Sequence, residues 1–258
     1  MNRTLKLVYF SPTDSTKKIL HRMANEMGFP IGEEFNLTNY EYNNFEHTFE
    51  ENDLIFVGCP VYGGRVPQTA KNRFNRLKGS NTKIAIILAY GDMHYDNSLM
   101  EIYEKIKNND FAIVGMGAFV SRHSVVKSIG FNRPNEKDYE CLKIFCKKII
   151  ENINANKIID LKLERSFGKY RSVPIKPKGK KNCIKCGLCI KLCPENAIEY
   201  INPRLTNKKK CICCMRCIKY CPNNARNLSK MEYFISRLFL KIIKRIKYNK
   251  ENKNEIIL

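Results

Sequence analysis

The chain has 258 residues, which is enough for one large domain or two modest ones. Hydrophobic residues make up 43% and charged residues 28%, so a packed core is expected and general disorder is excluded. No stretch approaches the roughly 18 consecutive apolar residues of a membrane span. The first ten residues place charges inside a short apolar run, unlike a secretory signal, and we expect a cytoplasmic protein.

Charge and cysteine are distributed unevenly. Of the net charge of +21, residues 1–150 contribute +3 and residues 151–258 contribute +18. Nine of the 12 cysteines fall between Cys183 and Cys221. In a reducing compartment, clustered cysteines bind metal more often than they form disulfides. The composition therefore predicts a two-part chain with a basic, metal-binding second part.

The first part alternates strand and helix patterns. Apolar runs predict strands over residues 5–10, 54–59, 83–90 and 111–120, with a weaker strand over 34–37. Helical patterns cover residues 16–27, 67–77, 97–109 and 135–154. Strands separated by helices of this length form βαβ units. We expect an α/β domain over residues 1–160, with a doubly wound parallel sheet covered by helices on both faces.

The first candidate ligand loop follows the first strand. A parallel sheet binds ligands outside the carboxyl ends of its strands. This loop carries the residues Ser11, Thr13, Asp14, Ser15 and Thr16. Hydroxyls and backbone N–H groups at a helix N-terminus bind phosphate without a basic residue. The alternative is that Asp14 or Ser15 only caps the helix.

Two further loops at the same sheet edge combine aromatic residues with glycine. One contains Pro60, Val61, Tyr62, Gly63 and Gly64, and the other contains Tyr90, Gly91, Asp92, Tyr95 and Asp96. Glycines let the backbone approach a flat ligand, and Tyr90 and Tyr95 are expected to stack on a ring. Each loop alone is most often a tight turn. Together the three loops predict a slot for a flat ring with a phosphate tail.

These loops resemble those of the flavodoxin-like proteins, whose first loop has the form Ser/Thr-x-Thr-Gly-x-Thr and holds the phosphate of FMN. The resemblance covers about 150 residues. It implies an FMN site, with phosphate contacts from Ser11, Thr13, Ser15 and Thr16 and ring contacts from residues 60–64 and 90–96. The chain departs from the family at Asp14, where glycine is usual. Aspartate tolerates the left-handed backbone that glycine favours, but its carboxylate repels a phosphate unless it points outward.

The cysteines of the second part form a repeated motif. The bacterial ferredoxin pattern Cys-x2-Cys-x2-Cys-x3-Cys-Pro occurs twice, and its fourth cysteine binds the other cluster in two-cluster ferredoxins. One [4Fe–4S] cluster is thus predicted on Cys183, Cys186, Cys189 and Cys221, and a second on Cys211, Cys214, Cys217 and Cys193. Two zinc sites are the alternative. Cys213 is left over, and residues 179–227 are expected to form a small ferredoxin-like α+β domain.

Two basic segments flank the cysteine motifs. Residues 161–178 read as an extended linker. Residues 228–247 predict an amphipathic helix, followed by a tail to residue 258. The helix is interpreted either as a docking element for an anionic membrane or an acidic partner, or as packed on the chain's own surface with a solvated basic face. A DNA-binding redox sensor is a third hypothesis, but no nucleic-acid module is recognisable and we expect no nucleic-acid partner.

Residues 1 to about 225 resemble the flavodoxin–ferredoxin fusions known as EFR1-type ferredoxins, found widely in anaerobic bacteria and archaea. The resemblance implies an electron-transfer flavoprotein. Two hypotheses follow. In the first, FMN and the clusters carry electrons between redox partner proteins without a further substrate. In the second, the flavin reduces a small molecule or quinone. Four polar residues would then bind an acidic substrate near the ring: Arg122, His123, Ser124 and Arg133. The first is preferred, and whether the chain is an oxidoreductase enzyme stays open.

Overall fold

A computed structural model describes residues 4–162, 167, 173–247 and 252–258. The strands are β1 Leu5–Tyr9, β2 Ile31–Asn36, β3 His47–Thr48, β4 Leu54–Pro60, β5 Leu77–Lys78, β6 Thr82–Tyr90, β7 Phe111–Val120, β8 Lys178–Gly179, β9 Arg226–Asn227 and β10 Glu255–Ile257. The helices are α1 Ser15–Met27, α2 Gln68–Phe74, α3 Ser98–Lys107, α4 Glu136–Asn154, α5 Leu188–Lys191, α6 Arg216–Lys219 and α7 Lys230–Lys247. A 3₁₀ helix spans Tyr40–Asn44. Half of the predicted linker, residues 163–166 and 168–172, lies outside the described residues.

Six strands form one sheet in the order β10-β7-β6-β4-β1-β2. The neighbours from β2 to β7 are parallel, and β10 is antiparallel to β7. The five parallel strands thus have the order 2-1-3-4-5 of the flavodoxin-like doubly wound fold, with the chain reversing between β1 and β4. Helices cover both faces: α1 and α4 pack over one buried cluster, and α2 and α3 over the other. The predicted fold class is confirmed.

Most predicted element ends agree with the structure. Gly28 ends α1 in a left-handed conformation, and Asn135 begins α4 with a capping box. The weaker strand predicted over residues 34–37 is present as β2, and it is longer than predicted, from Ile31 to Asn36. The helix predicted over residues 67–77 ends earlier, because Leu77 and the residue after it pair in parallel with β3.

The C-terminal residues do not form a free tail. After α7, the chain returns to the first domain and adds β10 to the edge strand β7. The amide of Val120 donates to Asn254 Oδ1 at 2.7 Å, and the Tyr90 hydroxyl donates to the Lys253 carbonyl at 2.7 Å. The predicted unit of helix and tail, residues 228–258, is therefore corrected: its last residues belong to the α/β sheet.

The cysteine unit shows a repeated backbone. Three pairs of equivalent positions have positive φ: Lys185 with Cys213, Gly187 with Met215, and Asn196 with Asn224. Each motif leads into a single-turn helix, α5 or α6, and β8 pairs with β9 to close the unit. Within the described part of the chain, no helix is both long enough and apolar enough to cross a membrane.

Candidate functional site

The structure brings the eight predicted cysteine ligands together in two sets of four. One cavity is lined by Cys183, Cys186, Cys189 and Cys221, and a second by Cys193, Cys211, Cys214 and Cys217. Each set takes three cysteines from one motif and the fourth from the other. Cys213 lines neither cavity and is 4% exposed, packed with Met215 and Leu228.

The fourth cysteine of each motif receives the same hydrogen bond. The Ala197 amide donates to Cys193 Sγ at 3.3 Å, and the Ala225 amide donates to Cys221 Sγ at 3.2 Å. The positive φ of the preceding asparagine occurs at both sites. Such hydrogen bonds to sulfur tune the reduction potential of a bound cluster. The four cysteines around each cavity fit the four-thiolate ligand set of a [4Fe–4S] cluster. Among the described residues, no three His, Cys, Asp or Glu side chains converge on a point where one metal ion could bind.

The two cysteine sets differ in burial. In the second set, burial raises the pKa of Cys214 well above its ordinary value and that of Cys217 to about 11. In the first set, Cys186 is exposed. Thiols must lose their protons to bind iron, so loading of the buried set releases protons and depends on pH.

Arg226 is a buried cation between the two sets. It is 1% exposed and lines both cavities. Its guanidinium donates to the carbonyls of Pro203 at 2.7 Å and Pro177 at 2.9 Å, and to the Thr206 hydroxyl. Burial raises the pKa of Cys217, and the charge and hydrogen bond of Arg226 oppose that effect. The positive charge of Arg226 thus stabilises thiolates of both cysteine sets.

For a [4Fe–4S] cluster bound at either cysteine set, we expect the variant Arg226→Met to make the reduction potential more negative. Removing a nearby buried cation disfavours the more negative reduced state, and a shift of about 60 mV corresponds to a factor of ten for one electron. Redox titration followed by electron paramagnetic resonance measures both potentials. Arg204→Met is the matched control, because Arg204 lies in the same unit and lines neither cavity. Equal potentials in the Arg226 variant and the wild type would contradict this role.

The backbone of the first loop is left-handed at Asp14, the position where the pattern that it resembles has glycine. Asp14 has φ 62°, the left-handed conformation, and makes no side-chain cap hydrogen bond to α1. The predicted capping alternative is therefore wrong for Asp14. Ser11 Oγ accepts the Lys17 amide at 3.1 Å instead. Thr16 is 1% exposed, and its hydroxyl has no hydrogen-bond partner among the described residues, as expected for a donor reserved for a ligand.

The Asp14 carboxylate points outward to the cysteine unit. Lys219 forms an ion pair with it, and the Tyr220 hydroxyl donates to it. Lys219 also donates to the Thr13 carbonyl at 2.9 Å. Burial would raise the pKa of Asp14, but the hydrogen bonds from Lys219 and Tyr220 outweigh it and lower the pKa. The expected repulsion between Asp14 and a phosphate is thereby offset by a cation from the other domain.

The second loop is a tight turn clamped by a buried carboxylate. Tyr62 and Arg65 exchange backbone hydrogen bonds across Gly63 and Gly64, both at positive φ. Glu101, 1% exposed, accepts from the Arg65 guanidinium and from the Val66 amide. The backbone of Pro60 and Val61 continues from the end of β4, and Val61 is hydrogen-bonded to the end of β6.

The third loop packs directly against the second. A Cβ on Gly64 would lie 1.8 Å from the Asp96 carboxylate. Gly91 is packed just as closely, because a Cβ there would lie 2.9 Å from the His123 backbone. Close backbone packing is thus the local role of both glycines. The two loops do lie side by side at the sheet edge, as predicted.

Two residues of the third loop, Tyr90 and Asp92, are buried, although the sequence analysis predicted them to contact a ligand. Tyr90 is 2% exposed and bonded to the C-terminal segment, so the ring-stacking role predicted for it is wrong. Asp92 is 6% exposed and bound by Lys244 and Asn252, so it is held by α7 and the tail. Tyr95 is half-buried, and its ring stacks on His94 at 5.3 Å.

Buried contacts join α2 to the second cysteine set. The guanidinium of Arg73, 0% exposed, donates to the Leu37 carbonyl at 2.6 Å and to the Pro194 carbonyl at 2.8 Å. Thr69 donates to Glu195. Sequence reasoning missed these residues and Lys219 with Tyr220, because an arginine on a short helix and a lysine in a basic motif carry no local signal of an interdomain contact.

A cationic cavity of about 970 Å³ lies beside the first loop. It is lined by Thr13 and Ser15, by residues 119–125 after β7, and by Lys219 and Arg226 of the cysteine unit. His123 faces this cavity, but its Nδ1 accepts the amides of Val125 and Val126. Burial lowers the pKa of His123 to about 4, so the ring stays neutral and orders the loop.

Comparison with known proteins gives one family match. Residues 179–199, which contain the first cysteine motif, match the 4Fe-4S binding domain family (Fer4). No curated protein matches the chain. The segment therefore carries a ferredoxin-type iron–sulfur motif.

Several solved structures are similar to the first domain. An archaeal flavodoxin has 15% identity and a TM-score of 0.36, with 58% of this chain and 99% of that chain covered. The flavodoxin of Megasphaera elsdenii has 17% identity and a TM-score of 0.38, with 56% and 99% covered. Rubredoxin oxygen:oxidoreductase from Desulfovibrio gigas has 14% identity and a TM-score of 0.40, with 60% of this chain and 37% of that chain covered.

Proposed function

We propose that this chain is an iron–sulfur flavoprotein of the EFR1 type that transfers electrons between FMN and two [4Fe–4S] clusters. It would act as a carrier between redox partner proteins in the reducing cytoplasm. The observation that carries the proposal is the contact of Lys219 and Tyr220 with Asp14. This contact joins the C-terminal end of α6, between the predicted ligands Cys217 and Cys221, to the loop that would hold the flavin phosphate.

The first-loop residues fit a phosphate-bearing flavin. Thr16 offers a buried hydroxyl that has no hydrogen-bond partner within the described part of the chain, and the N-terminus of α1 supplies a partial positive charge. Glu101 of α3 holds the turn at Gly63 and Gly64. Ring contacts would come from residues 60–64, Tyr95 and Asp96. Bound FMN would supply exchange of electrons singly or in pairs.

The burial of the two cysteine sets suggests the order in which electrons pass through the two clusters. The second set adjoins the α/β domain through Pro194 and Glu195, whereas in the first set Cys186 is exposed and Ile184 is 65% exposed. We infer that the first cluster exchanges electrons with an external protein and the second with the flavin side. The edge around Ile184 is then the docking surface for a redox partner.

The cofactor content of protein purified without oxygen tests the proposal. Two cubanes and one flavin predict about eight iron atoms, about eight acid-labile sulfides and one FMN per chain. Chemical iron and sulfide assays with chromatography of released flavin measure these ratios. Zinc in place of iron would refute the cluster assignment. Eight iron without FMN would leave a ferredoxin fused to an empty flavodoxin-like domain and would refute the flavoprotein assignment.

The cationic cavity favours a second candidate, a flavin-dependent reductase of an acidic small molecule or quinone. The cavity contains Arg122 and Arg133 beside the first loop. Steady-state reduction of anionic quinones that falls in Arg122→Ala, with unchanged cofactor content, would favour this candidate. Exchange with protein partners alone would favour the carrier.

A further inference from the structure

Helix α7 turns its apolar side away from the protein. At 100° per residue, six of its large apolar side chains lie within an arc of about 140°. They are Phe234, Ile235, Leu238, Phe239, Ile242 and Ile246, and their exposed fractions range from 46% to 75%. Soluble monomers rarely expose a contiguous apolar surface of this kind unless it contacts a partner or a membrane.

The opposite side of α7 is held against the chain. Leu240, Ile243 and Lys244 are half-buried, and Lys244 forms an ion pair with Asp92 in the third loop. Ser229 and Glu232 cap the N-terminus reciprocally, with Glu232 N donating to Ser229 Oγ at 3.1 Å. The helix is thus anchored along one side, and its outward apolar face is a consequence of that docking.

Cations line one edge of the apolar arc. The helix carries six Lys or Arg residues and one acidic residue between positions 230 and 247. Lys230 and Lys241 lie at one edge of the arc, and Arg245 lies just inside that edge; all three are exposed. Long basic side chains at the rim of an apolar face place their charges at the headgroup level while the apolar residues enter the acyl boundary. A second copy of the helix would oppose like charges, which disfavours self-association.

We propose that the outward face of α7, defined by Phe234, Ile235, Leu238, Phe239, Ile242 and Ile246, docks this protein on an anionic lipid surface. The helix lies in the plane of the interface and does not cross the bilayer. The anchored side then faces the third loop of the α/β domain, so membrane docking places the candidate flavin site close to the lipid surface. This inference goes beyond electron transfer and does not depend on which cofactors bind.

Vesicle co-sedimentation of the full-length holoprotein tests the proposal. We expect binding to phosphatidylcholine vesicles containing phosphatidylglycerol, little binding to phosphatidylcholine alone, and weaker binding at high salt. Phe234→Ser/Phe239→Ser and Lys241→Gln/Arg245→Gln should each weaken binding about tenfold or more. The matched controls are on α4: Ile144→Ser, and Lys143→Gln/Lys147→Gln with the same spacing and loss of charge. The controls should bind as wild type.

The depth of insertion gives an independent readout. The chain has no tryptophan, so Phe239→Trp introduces a single reporter. Its fluorescence should be quenched by brominated lipid in anionic vesicles, whereas Tyr200→Trp, at a residue 85% exposed in the cysteine unit, should not be. Three outcomes would overturn the proposal: no binding to anionic vesicles, equal binding by all variants, or a dimer lost in Phe234→Ser/Phe239→Ser without vesicle binding. Binding only to an acidic protein would likewise overturn it.

Discussion

Paired cysteine substitutions should reveal which thiolates share a cluster. Cys193→Ala/Cys211→Ala removes two ligands of one set, so we expect about four iron atoms to remain. Cys183→Ala/Cys193→Ala removes one ligand from each set, so we expect almost no iron. The physical reason is that a cubane lacking a thiolate is labile, whereas the other set keeps all four ligands around its own cavity. Iron assay and electron paramagnetic resonance measure the result.

The same pair of variants distinguishes the alternative arrangement. If each motif bound its own cluster, Cys183→Ala/Cys193→Ala would lose one cluster and Cys193→Ala/Cys211→Ala would lose both. Cys213→Ala is the control and should retain about eight iron atoms, because Cys213 lines neither cavity. A reversed pattern would contradict the ligand sharing that we propose from the grouping of the cysteines around the two cavities.

FMN affinity should depend on the charge balance between Asp14 and Lys219. In Lys219→Met, no cation offsets the negative charge of Asp14 near the phosphate, so we expect affinity to fall about tenfold, or ~1.4 kcal/mol. Asp14→Gly removes the negative charge and keeps a residue suited to positive φ, so it should bind FMN at least as well as wild type. Titration of flavin-free protein by FMN fluorescence quenching measures both.

The double variant separates an indirect effect of Lys219 from a direct one. If Lys219 acts through Asp14, Asp14→Gly/Lys219→Met should bind FMN like Asp14→Gly alone. Lys208→Met, an exposed lysine in the same unit, is the control for lost net charge. An equal tenfold loss with glycine at position 14 would instead show that Lys219 contacts the phosphate itself.

Local patterns predicted the parallel sheet and the two cysteine sets well. A buried strand such as β7 is apolar along its whole length, and helix ends such as Gly28 and Asn135 have their own chemistry. The cysteine spacing fixes three ligands within one loop, and the repeat then assigns the fourth to the other loop. These features depend on neighbours in sequence, so the sequence alone reveals them.

Tertiary contacts account for what the sequence did not predict. Tyr90 reads as an exposed loop aromatic, but the returning C-terminal segment covers it and accepts its hydroxyl. Arg73 reads as a surface residue of a short helix, but carbonyls of Leu37 and Pro194 enclose it. Strand β10 has only three residues and forms by adding to an edge already present. Such contacts join residues 36 to 163 positions apart in the sequence, and no periodicity records them.

The return of the chain in β10 has a consequence for the proposed electron carrier. The cysteine unit enters after α4 and leaves through α7 into the same sheet, so it is inserted into the α/β domain and tethered at both ends. Proteins with a redox module on a single tether can move it between a loading and an unloading position. Here the second tether, with the contacts of Arg73 and Lys219, fixes one arrangement. Electron transfer out of the protein would then require a redox partner to bind at its surface. The turnover rate would be limited by that diffusional encounter and not by movement of the cysteine unit within the protein.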